Sequence, residues 1–301
     1  DKKTMVNDII EQVSNQNEEY GKSEGKKEKV MVEFSQANTH KAFHVGHIRG
    51  TSLGESLARI LSFTGKDVVR SNYQGDTGMH VAKWLWCYTN YHSKEEIKKD
   101  EAWFASIYVD AIKRLAEKSE LQEEVEEINR KLDLGKDKKL NELWKKTRKI
   151  CLESLEVIYK ELNTGFDNYF FESQLEEDAK KIAKELIDKK VAEISEEATI
   201  VNLEKYDLGV FLMLRKDGTV LYGGKDIALA VKKFREFKID NSIYVVGKEQ
   251  EHYFMQIFKV LELMKFKQAA NCKYVPVSLV KLPWGKMSSR RFYLITITLS
   301  L

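Results

Sequence analysis

Two short stretches near opposite ends of this chain carry residue types suited to handling phosphate. The first is His44-Val45-Gly46-His47. Two imidazoles about one helical turn apart can donate hydrogen bonds to phosphate oxygens as charge builds in a transition state. A helix start adds free N–H groups and the positive end of its dipole, and Gly46 would let a nucleotide approach the backbone closely. The plain alternative is a pair of surface histidines. With six His and sixteen Gly in the chain, a shuffled sequence shows His-x-Gly-His in about half a per cent of cases. The second stretch is Lys286-Met287-Ser288-Ser289-Arg290, just behind Leu282-Pro283-Trp284-Gly285. A mobile glycine-containing loop with a lysine and a serine pair suits closure over a triphosphate, where the cation stabilises a leaving pyrophosphate. Alone, this pentapeptide could be any basic loop; its pairing with the first motif makes it specific.

The elements around these motifs define the fold class. Val30 to Phe34 reads as a strand and Val45 to Phe63 as a helix stopped by Gly65. Val68 to Tyr73 reads as a second strand that ends at Gly75-Asp76-Thr77-Gly78. Strand, helix, strand is a βαβ unit, which implies a parallel sheet. Residues 91–198 turn Lys- and Glu-rich, with Leu140, Leu143, Trp144, Ile150, Cys151, Leu155, Ile158 and Leu162 on one helical face. Strands return at Thr199–Leu203 and Val210–Leu214, and Lys216-Asp217-Gly218 turns the chain into a further strand, Thr219–Tyr222. A helix over Asp226–Phe237, a strand over Ser242–Val246, a helix over Glu249–Met264 and a strand over Val275–Lys281 follow. The expected architecture is α/β: a Rossmann-like parallel-sheet domain in two halves, 30–90 and 199–301, split by a mainly helical insertion at 91–198. Residues 1–29 form a leading helix, marked by Val6, Ile9, Ile10 and Val13, and a polar linker. In such sheets the loops at the carboxyl ends of strands converge on the ligand crevice, where both motifs would meet.

Composition narrows the function classes. Acids and bases nearly cancel, leaving a net charge of +3, which excludes a strongly basic nucleic-acid coat but not local phosphate contacts. Cys87, Cys151 and Cys272 form no Cys-x-x-Cys pair; they read as reduced, buried thiols of a cytoplasmic protein, and no protein-bound structural metal is expected. No apolar run is long enough to span a membrane and no signal segment opens the chain. Both ends read as cut, as in an excerpt of a longer protein.

The two motifs resemble the HIGH and KMSKS signatures of class I aminoacyl-tRNA synthetases. The stretches Val32-Glu33-Phe34-Ser35-Gln36-Ala37-Asn38 and Gly75-Asp76-Thr77-Gly78, with Lys41 just ahead of the histidines, are similar to arginyl-tRNA synthetases, most of all to the archaeal and eukaryotic branch. The resemblance runs from about Val30 to Arg290 and includes Leu221-Tyr222-Gly223-Gly224-Lys225-Asp226. It implies the HUP-type variant of the nucleotide-binding fold. It also implies that Glu33, Asn38, Tyr222, Asp226 and Gln256 bind the substrate arginine. By the same resemblance His44, Gly46 and His47 contact ATP, Glu249 and Gln250 meet its ribose, and Lys286, Met287 and Ser288 close over its phosphates.

Part of this agrees with chemistry alone. A guanidinium is a planar five-donor cation that a carboxylate grips bidentately and a phenol face can stack on. Tyr222 and Asp226 are four apart, so a strand ending at Tyr222 and a helix entered by Asp226 would let both line one pocket. Taken alone, Asp226 is equally an ordinary acid at a helix start, Glu33 an edge-strand acid, Asn38 a turn or cap residue and Gln256 a polar helix position.

The family's activity, carried over, is ATP-dependent activation of L-arginine and its transfer to the 3′ end of tRNA(Arg), with Mg2+ accompanying ATP and the protein acting as a monomer. Catalysis would fall to His44, His47, Lys41 and Lys286. Ser289 stands where the full signature has its second lysine, and Lys41 fits the substitute role. The family's anticodon-binding domain is expected to be absent, and residues 291–301 match nothing in the family. The alternatives are a neighbouring synthetase of cysteinyl or glutamyl type, a small nucleotidylyltransferase, and a truncated synthetase-like protein that binds ATP, arginine or tRNA without catalysis.

Overall fold

The computed structural model describes residues 1–23, 27–196 and 198–279, together with the backbone of Lys281–Leu282 and Gly285–Lys286. In chain order, α1 (Lys2–Gln16), β1 (Lys29–Glu33), α2 (Val45–Phe63) and β2 (Asp67–Gln74) come first. Four helices follow: α3 (Met79–Cys87), α4 (Glu101–Glu117), α5 (Gln122–Leu134) and α6 (Lys138–Glu161). Then come β3 (Asn168–Phe171), α7 (Glu176–Asp188), β4 (Glu193–Ser195), β5 (Ala198–Asn202) and β6 (Val210–Leu214). The last segments are α8 (Tyr222–Phe237), β7 (Asn241–Gly247), α9 (Glu251–Leu263) and β8 (Cys272–Val277).

Five strands form one sheet in the order β3-β2-β1-β7-β8, and every pairing is parallel. Central β1 is buried on both faces, which is why Val30-Met31-Val32 reads as a continuous apolar run and not as an alternation. Successive strands step outward from β1 to one side through β2 and β3, and to the other through β7 and β8. The topological switch therefore lies between β1 and β7, and a crevice opens beyond their carboxyl ends. Helix α2 packs closely over β1: a Cβ on Gly54 would sit 2.2 Å from the Phe34 ring.

Helices α3 to α6 share a core of their own. Trp84 stacks on Tyr88 and Phe104 with ring centroids 5.2 and 4.9 Å apart, and Trp86, Trp103, Tyr108 and Ile150 close around it. Strands β4, β5 and β6 stand apart as a three-stranded antiparallel sheet. None of the described helices is long and apolar enough to cross a membrane.

Several elements differ from the sequence expectation, among them β4, a short strand at Glu193–Ser195 inside the stretch read as helical. The edge strand β3 lies inside the stretch read as helical; at four residues, Asn-Tyr-Phe-Phe, it is too short to show a period amid Lys- and Glu-rich helices. The strand expected over Thr219–Tyr222 reduces to a single bridge from Val220 to Leu214. Tyr222 instead opens α8, four residues earlier than expected. Gly223 explains this start: a Cβ there would lie 2.4 Å from the Leu212 carbonyl, so only glycine lets the first turn of α8 rest on β6. The final strand, expected over Val275–Lys281, is β8 at Cys272–Val277. The apolar stripe of α1 is present, but none of that helix's residues is buried.

Candidate active site

His44 is the N-cap of α2, and its Nδ1 accepts the Gly46 N–H at 3.2 Å. His47 reaches back one turn, and its Nδ1 accepts the His44 N–H, also at 3.2 Å. The two side chains thus form a reciprocal capping box, a part usually played by serine and glutamate. Their rings stack with centroids 4.0 Å apart. This alters the expected role of the helix start: the Gly46 N–H is taken by an imidazole, and Gly46 has no Cβ because one would lie 3.0 Å from that ring. Burial pushes His47 down to about 3, with His44 and Lys41 adding to the effect. Burial also lowers His44, and the nearby Lys41 cation lowers it further. Both rings are therefore neutral near pH 7. With each Nδ1 occupied as an acceptor, each Nε2 carries the proton. The motif presents two fixed, uncharged N–H donors.

The loop from β1 to α2 is held in a conformation that non-glycine residues rarely adopt, with Ser35 at φ 74°, Gln36 at 53° and His40 at 59°. Buried hydrogen bonds over-determine it. Ser35 donates to the Tyr159 hydroxyl at 3.2 Å, and the Gln36 N–H donates to Asn72 at 3.2 Å. The Thr39 N–H donates to the Gly75 carbonyl at 2.9 Å, and the His40 ring bridges Thr39 and Thr147. The Gly75-Asp76 pair clamps the same region. A Cβ on Gly75 would lie 2.0 Å from Asn38 Oδ1. Asp76, wholly buried, accepts from the Ser173 N–H at 2.9 Å, its hydroxyl at 2.7 Å, and Arg148 Nε at 2.6 Å. Asp76 thereby fixes Glu172, the neighbour of Ser173, at the exit of β3.

Beyond the ends of β1, β2 and β7 lies a cavity of about 400 Å³. Its acids are Glu33, Glu172 and Asp226; its amides are Gln36, Asn38 and Gln250. Tyr73, Tyr222, Tyr244 and Tyr253 supply aromatic wall and hydroxyls. Glu33 is 2% exposed and pairs at 2.6 Å with Lys233, which is wholly buried; Gln36 also donates to it at 2.9 Å. The Lys233 ammonium lies 3.9 Å over the Tyr244 ring. Asp226 accepts from the Tyr253 hydroxyl. Burial pushes the Asp226 carboxyl up to about 7; Tyr253 works against that shift and Glu33 adds to it. Burial likewise pushes Glu172 up to about 8, opposed by Lys225, whose Nζ lies 3.9 Å away. A site with more acid than base, and with two acids poised to ionise, stabilises a cation rich in N–H donors.

The structure brings Glu33, Asn38, Tyr222 and Asp226 to this cavity. It does not bring Gln256, whose amide donates to the Leu208 carbonyl at 2.7 Å and the Val210 carbonyl at 3.3 Å and so anchors β6. Gln250, which the resemblance had assigned to the ribose, lines the wall instead, alongside Gln36. Glu249 is exposed and lies outside the lining; its carboxylate folds over Gly247, where a Cβ would meet it at 2.5 Å. Lys41 lies near both motif histidines, with its ammonium 5.3 Å over the Tyr108 ring. Lys286 pairs through its backbone with Lys281; its side chain, Met287 and Ser288 lie outside the described residues. Tyr222 and Asp226 share one face of α8 as an i, i+4 pair, not the strand end and helix entry that had been expected.

Sequence reading missed Glu172, Tyr73, Tyr244, Tyr253 and Lys233. For Lys233 a signal existed. It falls seven residues after Asp226, on the same helical face, between Ala230 and Phe234 that pack in the core. A lysine on an apolar face asks for a buried acid. Glu172 follows an aromatic run and carried no comparable signal.

The family described as "tRNA synthetases class I (R), catalytic domain" matches residues 9–283. An arginine–tRNA ligase of Bdellovibrio bacteriovorus is 38% identical over 276 residues, covering 88% of this chain and 47% of the relative. One from Halothermothrix orenii is 32% identical over 292 residues, covering 96% of this chain and 51% of the relative. The arginyl-tRNA synthetase structure of Thermus thermophilus superposes with a TM-score of 0.71 at 24% identity, over 87% of this chain and 50% of that one. That of Plasmodium falciparum gives 0.69 at 21% identity, over 87% and 45%. These likenesses establish the fold. The chain spans about half the length of the curated relatives it matches. With the family match running through both halves of the sheet and the insertion between them, the chain belongs to the class I tRNA synthetases of the arginyl type.

Proposed function

We propose that this chain is the catalytic domain of an arginine–tRNA ligase, activating L-arginine with ATP and passing it to tRNA(Arg). The observation that carries the reading is the cavity at the switch point, where Glu33, Glu172 and Asp226 meet one loop away from the paired histidines. In the first step the arginine carboxylate attacks the α-phosphate of Mg-ATP in line; pyrophosphate leaves and arginyl-adenylate forms. The carboxylate is already a nucleophile, so no general base is needed and the protein contributes positioning and charge stabilisation. His44 and His47 donate through Nε2 to the phosphate, and Lys41 and Lys286 offset the charge of the leaving group. Asp226 and Glu33 grip the guanidinium, with Tyr222 closing over it and Gln250 reading an N–H. Lysine cannot fill a bidentate site and is rejected. In the second step the terminal ribose hydroxyl of tRNA(Arg) takes the arginyl group. The reading has the chain working as a monomer in the cytoplasm, where charged tRNA is used.

The test is arginine-dependent exchange of pyrophosphate into ATP, measured with and without tRNA(Arg). Exchange that requires arginine and disappears in Asp226→Ala is expected. Exchange driven by another amino acid, or arginine affinity unchanged in Asp226→Ala, would overturn the assignment. ATP affinity with no adenylate, even with tRNA present, would indicate a binding module and not an enzyme.

A further inference from the structure

Helices α3 and α4 carry a cluster that the proposed reaction does not use. Cys87 ends α3, and the next five residues, Tyr88–His92, form one π turn. In an α-helix, residues five apart point about 140° away from each other. The wider π turn closes over five residues and brings Cys87 and His92 to the same side; such turns are rare and cluster at functional sites. Asp110, on α4, faces them. Cys87 Sγ lies 3.4 Å and His92 Nε2 3.1 Å from Asp110 Oδ2, and the three ligand atoms all fall within 4.8 Å of one another.

These separations match the edges of a metal tetrahedron. Zinc bond lengths to sulfur, nitrogen and oxygen, set at the tetrahedral angle, give sulfur–oxygen and nitrogen–oxygen edges of about 3.5 and about 3.3 Å. The outer partner such a site needs is present too: Glu95 accepts from His92 Nδ1 at 2.6 Å, which turns Nε2 toward Asp110. Trp103 Nε1 donates to the other Glu95 oxygen at 3.1 Å and holds that carboxylate in place. Cys87 is wholly buried, whereas the His92 and Asp110 side chains are 21% and 29% exposed, leaving an open side for entry and for a water as fourth ligand. One group competes: Arg114 Nε donates to Asp110 Oδ2 at 2.7 Å. Its guanidinium also rests 3.7 Å over the Tyr91 ring, a seat it keeps if that bond is given up.

We propose that Cys87, His92 and Asp110 form a site for one divalent ion of borderline softness, zinc first, that staples α3 to α4. Thiolate, imidazole and carboxylate together suit zinc or cobalt and disfavour magnesium or calcium. Binding sends the thiol proton and the Nε2 proton to solvent, and the ion takes their place on the same lone pairs.

The test uses the whole chain, stripped with a chelator and titrated with Co2+ and then Zn2+, following near-ultraviolet and visible absorption and the melting temperature. One equivalent of cobalt with a sulfur-to-cobalt charge-transfer band, displaced by zinc and accompanied by a rise in melting temperature, is expected. The band should vanish in Cys87→Ser and in His92→Gln, and Arg114→Met should bind several-fold tighter because the competing cation is gone. The Arg114 variant keeps every ligand and decides the matter even if a ligand variant fails to fold. No charge-transfer band in the native chain, a band that survives in Cys87→Ser, or weaker binding in Arg114→Met would each overturn the site.

Discussion

Replacing Lys233 with methionine removes one partner of the most deeply buried ion pair described in the chain. Glu33 and Lys233 are 2% and 0% exposed and 2.6 Å apart. Breaking such a pair from one side costs about 3–5 kcal/mol, because the remaining charge stays out of water without a counter-ion. Gln36 offers Glu33 one hydrogen bond, and a bond to a charged group contributes only about 1.5–3 kcal/mol. That compensation already exists in the native chain and does not grow in the variant. Lys233→Met is therefore expected to lose about 3–5 kcal/mol, Glu33→Gln alone a similar amount, and the double variant much less than their sum. Urea unfolding should be followed by far-ultraviolet circular dichroism. Among the described residues, Trp84, Trp86, Trp103 and Trp144 all belong to the core of helices α3–α6, so their fluorescence reports that core and not the sheet. A loss below about 1 kcal/mol for Lys233→Met, or strict additivity in the double variant, would refute the claim that each partner is held in the interior by the other.

Other outcomes follow from the same geometry. Asp226 keeps its proton in the folded chain up to about 7, against 3.8 as its ordinary value. The folded state thus holds the extra proton between those limits, and Asp226's contribution to stability falls as pH rises through that window. A bound guanidinium favours the anion, so arginine binding at pH 6 should release protons from Asp226 and Glu172, detected by calorimetry in buffers of different ionisation enthalpy and smaller in Asp226→Asn. Burial holds His47 near 3 and also lowers His44, so the rate of adenylate formation should show no limb near pH 6.5 from either ring, while His47→Ala should slow it about 10²–10³-fold. Gly75→Ala places a Cβ against Asn38 Oδ1; it should weaken arginine binding by pushing Asn38 out of the wall and cost about 1–3 kcal/mol of stability, read by the same titration and unfolding experiments.

Much of the sheet was legible because its strands are buried on both faces and read as apolar runs between turn residues. Helix α2 begins at Val45 and ends at Phe63, as its period and Gly65 indicate. What escaped was short or depended on tertiary contact. Strand β3 is four residues long and earns its place only by pairing with β2. The start of α8 is set by close packing of Gly223 on β6, which no local pattern encodes. Among site residues, those inside motifs were found, whereas Glu172 and Tyr253 reach the cavity from elements that carry no motif. Gln250 and Gln256 sit six apart on neighbouring turns, and only the fold decides which of them faces the cavity. Cys87 was set aside for lack of a nearby second cysteine; its partners are a histidine across a π turn and an aspartate on another helix.

The central claim is that the acids of the switch-point cavity select a guanidinium. Calorimetric titration of arginine and of citrulline, its uncharged isostere, in the presence of a non-hydrolysable ATP analogue tests it most directly. Arginine should bind at least a hundredfold tighter, since each lost charge-assisted pair contributes about 1.5–3 kcal/mol, and Asp226→Asn should narrow the gap. Equal affinity for the two ligands, or preference for citrulline, would contradict the account.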